Sequence, residues 1–181
     1  MFRDIAIASV LGASLSADIY FFANRIPNFF RRLFAEGAFS QAFVPVMSKV
    51  KENKEKEELS DLLNKTAGTL GAIVLFVTLV GMILSPVVTA IFGWGWFEAY
   101  LNNKEDATKF IQASYLLKIT FPYLFFITLT ALTSAVLNVF GKFLIPAITP
   151  CVLNIVLITA AFFVAPNFEN PNVVLAYAMV V

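Results

Sequence analysis

Charge is absent from this chain over long distances. Between Lys65 and Glu98 lie 32 residues without a charged side chain, between Lys118 and Lys142 lie 23, and between Lys142 and Glu169 lie 26. A helix that crosses a bilayer needs roughly 20 consecutive apolar residues, so each run is long enough to span. Residues 5–17 form a shorter charge-free run opening on Phe2, Arg3 and Asp4, and 170–181 begin another apolar segment. The pattern predicts an all-α polytopic transmembrane helix bundle, a single domain over 1–181. Its helices are expected at about 1–13, 18–48, 62–92, 108–140, 143–165 and 171–181, the first and last read as truncated.

Composition agrees with the pattern and narrows the chemistry. Of 181 residues 59% are hydrophobic and 14% charged, where soluble domains run at about 45–50% apolar and about 25% charged. There is no histidine, which removes the commonest general base and metal ligand, so hydrolytic and metal chemistry are not expected and no cofactor is implied. The single cysteine, Cys151, sits inside an apolar run and reads as a small core hydrophobe. A net charge of +1 without a basic patch argues against nucleic acid as a partner.

The connectors differ in charge. The stretch 49–65 carries five lysines and five acids, and because orientation follows lysine and arginine, the loop 49–61 is expected on the cytoplasmic side. Counting spans puts 93–107 and 166–172 outside and the turn at Gly141 and Lys142 inside. Trp94, Trp96, Phe97 and Tyr100 then suit an interfacial aromatic belt. Prolines at 27, 45, 86, 122, 146 and 150 fall in or beside the spans, where neighbouring helices can satisfy the freed carbonyls. Gly68, Gly71 and Gly81 would let helices approach closely.

The segment from Asp18 to Ser48 is rich in phenylalanine yet holds Asp18, Arg25, Arg31, Arg32 and Glu36. Each charge at mid-bilayer costs about 2.5–3.5 kcal/mol on insertion scales, so the fold must stabilise them. At about 100° per residue, Arg25, Arg32 and Glu36 fall within roughly 40° of one another, and Asp18 joins them if the helix continues through Pro27. Arg32 and Glu36, four apart, can pair. Two readings fit these charges. Arginines near a helix end can reach headgroups, or a polar stripe can line a cavity that binds an anion, for which the guanidinium fork suits a diphosphate. Lys118, interrupting the run from Phe110 to Phe140, fits either reading. Arg3 and Asp4, adjacent in sequence, do not share a helical face, so at most one of them is expected to line a given surface well.

The string RRLFAEGAFSQAFVP, Arg31 to Pro45, resembles the signature of the MurJ/MviN lipid II flippase family. So do Arg3-Asp4, GASLSADIYFFANRIPN from Gly12 to Asn28, LLKITFPY from Leu116 to Tyr123, and the spacing of Asn138, Pro146, Pro150 and Asn154. The resemblance covers essentially the whole chain. It implies a fourteen-helix fold of the multidrug/oligosaccharidyl-lipid/polysaccharide exporter superfamily, of which this chain is a partial first lobe. It also implies a membrane flippase rather than an enzyme, one that moves the undecaprenyl-diphosphate-linked peptidoglycan precursor, lipid II, across the bacterial inner membrane by alternating access. Carried over by motif, the substrate-binding cations are Arg3, Arg31, Arg32 and Lys118, with Asp4, Asp18, Arg25 and Glu36 as cavity or gating charges. The stripe ranks Arg25 and Arg32 above Arg31, whereas the motif favours Arg31. The implied partners are the lipid-linked diphosphate, membrane lipids and a missing C-terminal lobe. Relative to the family pattern the chain lacks the beginning of the first helix and the second lobe, so a fragment inactive alone is expected.

Three other readings compete. Another polysaccharide-unit flippase or drug exporter of the same superfamily would lack the Arg31 to Pro45 string. An integral-membrane enzyme acting on polyprenyl diphosphates would want an aspartate cluster for magnesium, and no intramembrane pair of aspartates is present. A scaffold subunit would use the charges only to fix helix packing.

Overall fold

A computed structural model describes residues 2–12, 14–32, 43–49, 56–102 and 107–180. Among the described residues every regular element is helical. They run α1 (Phe2–Leu11), α2 (Leu15–Arg31), α3 (43–49), α4 (Lys56–Ile83), α5 (Ser85–Phe92), α6 (Trp94–Leu101), α7 (Ala107–Val139), α8 (Leu144–Thr159) and α9 (Pro171–Val180). A π turn at Ala160–Val164 and a 3-10 turn at Ala165–Asn167 prolong α8. Three helical stretches, Leu59–Ile83, Ala107–Val139 and Leu144–Asn167, are long and apolar enough to cross a membrane.

The 33-residue α7 is the axis of the bundle. At 1.5 Å per residue it is ~50 Å long, more than the ~30 Å hydrocarbon layer. One core joins α1, α2, α7, α9 and the end of α8 through Ile7, Ile19, Tyr20, Leu117, Phe121 and Leu175. Ala23, Ala113, Ala161, Ala165 and Ala176 are fully buried there, as expected where lipid supplies no hydrophobic drive and close backbone packing holds helices together. Gly81 serves the same end, because a methyl group there would overlap the ring of Phe121. A second core joins Phe43 and Met47 of α3 to Leu132 and Ala135 of α7, with Leu59 and Leu63 of α4 against them.

These contacts define two ends. The lysine-rich start of α4, α3 and the turn after α7 gather at one. At the other, Phe97 and Tyr100 stack on Phe110 with ring centroids 5.3 and 5.1 Å apart, and Tyr115 lines an open cleft together with residues 167–170.

Turn chemistry is local. Gly12 and Gly141 have φ of +62° and +73°, where a side chain is strained. Gly141 donates to Asn138 O at 3.0 Å and Lys142 to Leu137 O at 2.9 Å, which is the Schellman arrangement that satisfies the last carbonyls of a helix.

Where one helix over 62–92 is expected, the chain forms two. Pro86 has no N–H for the carbonyl of Met82 and disfavours helical backbone before it, so α4 ends at Ile83 and α5 starts at Ser85. The helical register also begins at Lys56, which puts residues 56–61 on α4 rather than in a loop. Residues 50–55 lie outside the described residues.

Candidate functional site

A cavity of about 1030 Å³ lies between α2, α7, α8 and the ends of α1 and α9. Its lining runs along α7 from Tyr123 to Asn138, so it occupies the half of the bundle nearer the lysine-rich end. Most of the wall is apolar, with Phe126, Ile127, Val152 and Leu153 among its members. The polar groups come from four helices, with Thr149 and Asn154 contributed by α8. Arg3 stands at one side, Asn28 and Arg32 at another, and Thr130, Ser134 and Asn138 follow one another at four-residue spacing on α7, which keeps them on one face.

Local hydrogen bonds set this geometry. The Nε and Nη2 of Arg3 both donate to Asp4 Oδ1, at 3.0 and 2.8 Å, with their side chains 35% and 49% exposed. Asn28 donates its amide to the carbonyl of Asn24 at 2.9 Å. On α7, Thr130 turns its hydroxyl back to Phe126 O at 2.9 Å, leaving its methyl and its oxygen lone pairs for the cavity. Pro146 and Pro150 of α8 line the opposite wall.

The charges singled out in the sequence divide between locations. Arg3 and Arg32 both line the cavity. Asp4 is not in the lining but is joined to Arg3. α2 continues through Pro27, so Asp18, Arg25 and Arg32 do share one face, and all three are exposed together with Phe21 and Phe29. Asp18 and Arg25 fall outside the lining, because at 1.5 Å per residue they stand ~21 and ~10 Å up the axis from Arg32. Lys118 is exposed on α7 and likewise outside the lining. Arg31 is the last residue of α2, and Glu36 lies outside the described residues.

Several polar members of the cavity carry no charge and escape a reading based on charges. Thr130 and Ser134 are two, and Asn28 and Tyr123 are others. The signal for the first pair was available: Thr130, Ser134 and Asn138 recur at intervals of four inside an apolar span, and such a stripe marks a face that does not meet lipid.

Chemically the cavity joins two guanidinium groups and several amides and hydroxyls to a long apolar wall. That combination suits an amphiphile with an anionic head. Among the described residues no cluster of three or more histidine, cysteine or acidic side chains could hold a metal.

Comparison with known proteins agrees with this description. Residues 7–181 match the family described as "Lipid II flippase MurJ". A "Probable lipid II flippase MurJ" of Haemophilus influenzae is 52% identical over 174 residues, covering 96% of this chain and 34% of that protein. One from Vibrio cholerae is 53% identical over 174 residues, covering 96% of this chain and 33% of its own length. Among solved structures, "Lipid II flippase MurJ, inward closed conformation" superposes with a TM-score of 0.76 at 31% identity, covering 99% of this chain and 36% of that one. The chain thus spans about a third of the length of these relatives.

Proposed function

Because the chain belongs to the lipid II flippase MurJ family, we propose that it forms the first-lobe wall of a flippase for the lipid-linked peptidoglycan precursor in the bacterial inner membrane. The observation that carries this reading is the cavity in which Arg3 and Arg32 face an apolar wall. A diphosphate head needs cations that burial cannot neutralise, and a polyprenyl tail needs a greasy surface beside them. Arg31, next to Arg32 at the end of α2, adds a third cation to the same region in this reading. Lys118, Asp18 and Arg25 lie outside the cavity lining and are proposed to meet the second lobe, with Asp4 and Glu36 as the acids that hold the arginines when no anion is present.

The lysine-rich end is proposed to be cytoplasmic. The cavity lies in that half, so the substrate enters from the side on which it is made, and a change in the packing of the two lobes then exposes it to the other face. Membrane-length helices support a multi-pass protein, and transport by alternating access requires no covalent chemistry of the chain.

The experiment is complementation. In a bacterium depleted of its own flippase, this chain is supplied alone and together with the remaining part of the Haemophilus influenzae relative. Growth is expected only with both, and Arg31→Ala should abolish it while both pieces remain inserted. Growth with Arg31→Ala and Arg32→Ala unchanged from the unsubstituted pair would overturn the cation assignment.

A further inference from the structure

The polar groups of the cavity are sorted by charge. Its two arginines stand on α1 and at the end of α2, whereas the stretch from Leu144 to Asn167 on the other side carries no charged side chain. What α8 brings to the lining is neutral, Thr149 and Asn154. Thr149 donates its hydroxyl back to Ile145 O at 3.0 Å, which leaves it only lone pairs to offer. A wall of that kind has nothing to balance the charge of a phosphate. At about 1030 Å³ the cavity is at the top of the range that ligand sites occupy, so it has room for more than a diphosphate.

Asn154 is half-buried and lies ten residues into α8, ~15 Å from the start of that helix. It is therefore near the middle of the 24-residue apolar stretch Leu144–Asn167, too deep for headgroups or bulk water to account for it. Amides in membrane helices ordinarily bond to a neighbouring helix, and Asn28 turns its own to Asn24 O. The Asn154 side chain makes no hydrogen bond among the described residues. It thus presents two donors and an acceptor to the cavity. Phosphate oxygens only accept, and their charge favours the guanidinium groups. A sugar hydroxyl both donates and accepts, which matches an amide. We propose that Asn154 determines specificity for the head of the substrate: its amide hydrogen-bonds the sugar joined to the diphosphate, while Arg3 and Arg32 take the phosphates. This rests on the anion-binding reading of the cavity and adds the uncharged part of the head to it.

The test compares two ligands on the chain in lipid nanodiscs: lipid II, and undecaprenyl diphosphate, which lacks the sugars. Asn154→Leu keeps the approximate size of the side chain, suits an apolar helix and removes every hydrogen-bonding atom. It should weaken binding of lipid II about tenfold and change that of undecaprenyl diphosphate by less than about twofold. Arg32→Ala should weaken both. The ratio of the two affinities on one preparation is insensitive to any loss of folded protein, so a merely structural role of Asn154 would not move it. Unchanged affinity for lipid II in Asn154→Leu, or an equal loss of both ligands, would overturn the role of Asn154 while the loss in Arg32→Ala leaves the cavity reading standing. No binding of either ligand by the unsubstituted chain, or no loss in Arg32→Ala, would overturn the cavity reading itself.

Discussion

The hydroxyl of Thr120 on α7 lies 3.5 Å from the carbonyl oxygen of Ala23 on α2, the carbonyl that Pro27, four residues on, cannot serve. Proline inside a membrane helix frees one acceptor, and here a threonine of the neighbouring helix faces it while also donating to its own Leu117 O at 3.1 Å. The two helices are thereby joined at the level of the proline, both within the main core.

Thr120→Val removes this donor and keeps the shape. Interhelical hydrogen bonds in membranes are worth about 0.6 kcal/mol on average and up to about 1.7, so unfolding of the purified chain in detergent should shift by that amount. Restoring an N–H with Pro27→Ala should recover most of the loss, because the backbone then serves Ala23 itself. Equal destabilisation by Thr120→Val with and without Pro27 would show that the hydroxyl is not serving that carbonyl.

Gly81 tests the α4 and α7 contact. The ring of Phe121 occupies the space a side chain would take, and Phe121 is itself buried. Gly81→Val should destabilise the bundle by about 1–3 kcal/mol. Phe121→Leu, which frees room, should reduce that penalty in the double variant, and simple additivity of the two changes would contradict the contact.

Gly141 closes α7 with left-handed backbone. Gly141→Ala should lower stability by about 1 kcal/mol, and Gly141→Asn by less, since asparagine tolerates that conformation better. Chemical unfolding midpoints of the three forms give the comparison.

Ser134 faces the cavity from the middle of the polar stripe on α7. Ser134→Phe should fill part of the space and weaken binding of undecaprenyl diphosphate by at least about tenfold, or ~1.4 kcal/mol, with little change in unfolding temperature. Unchanged affinity would place the ligand elsewhere.

Much of the architecture was legible in the sequence because bilayer thickness converts apolar run length directly into spans. The string at Arg31 to Pro45 made the family legible as well. The break before Pro86 was less so: a proline can kink or end a membrane helix, and its own sequence neighbourhood does not say which. Helical periodicity correctly placed Asp18, Arg25 and Arg32 on one face of α2. It could not say that only Arg32 reaches the cavity, because that depends on how deep α7 and α8 leave a gap. Arg3 and Asp4 show the same limit. Their Cα–Cβ directions diverge by about 100°, yet the long arginine side chain folds back onto its neighbour.

The most direct measurement is translocation itself. Cells depleted of their own flippase would express this chain with the remaining part of the Haemophilus influenzae relative, and labelled lipid II would be probed with a reagent confined to the outer face. The account predicts that lipid II becomes accessible with the unsubstituted pair and stays inaccessible with Arg3→Ala, both pieces being inserted in each case. Accessibility that is the same with Arg3→Ala, or absent with an inserted unsubstituted pair, would contradict it.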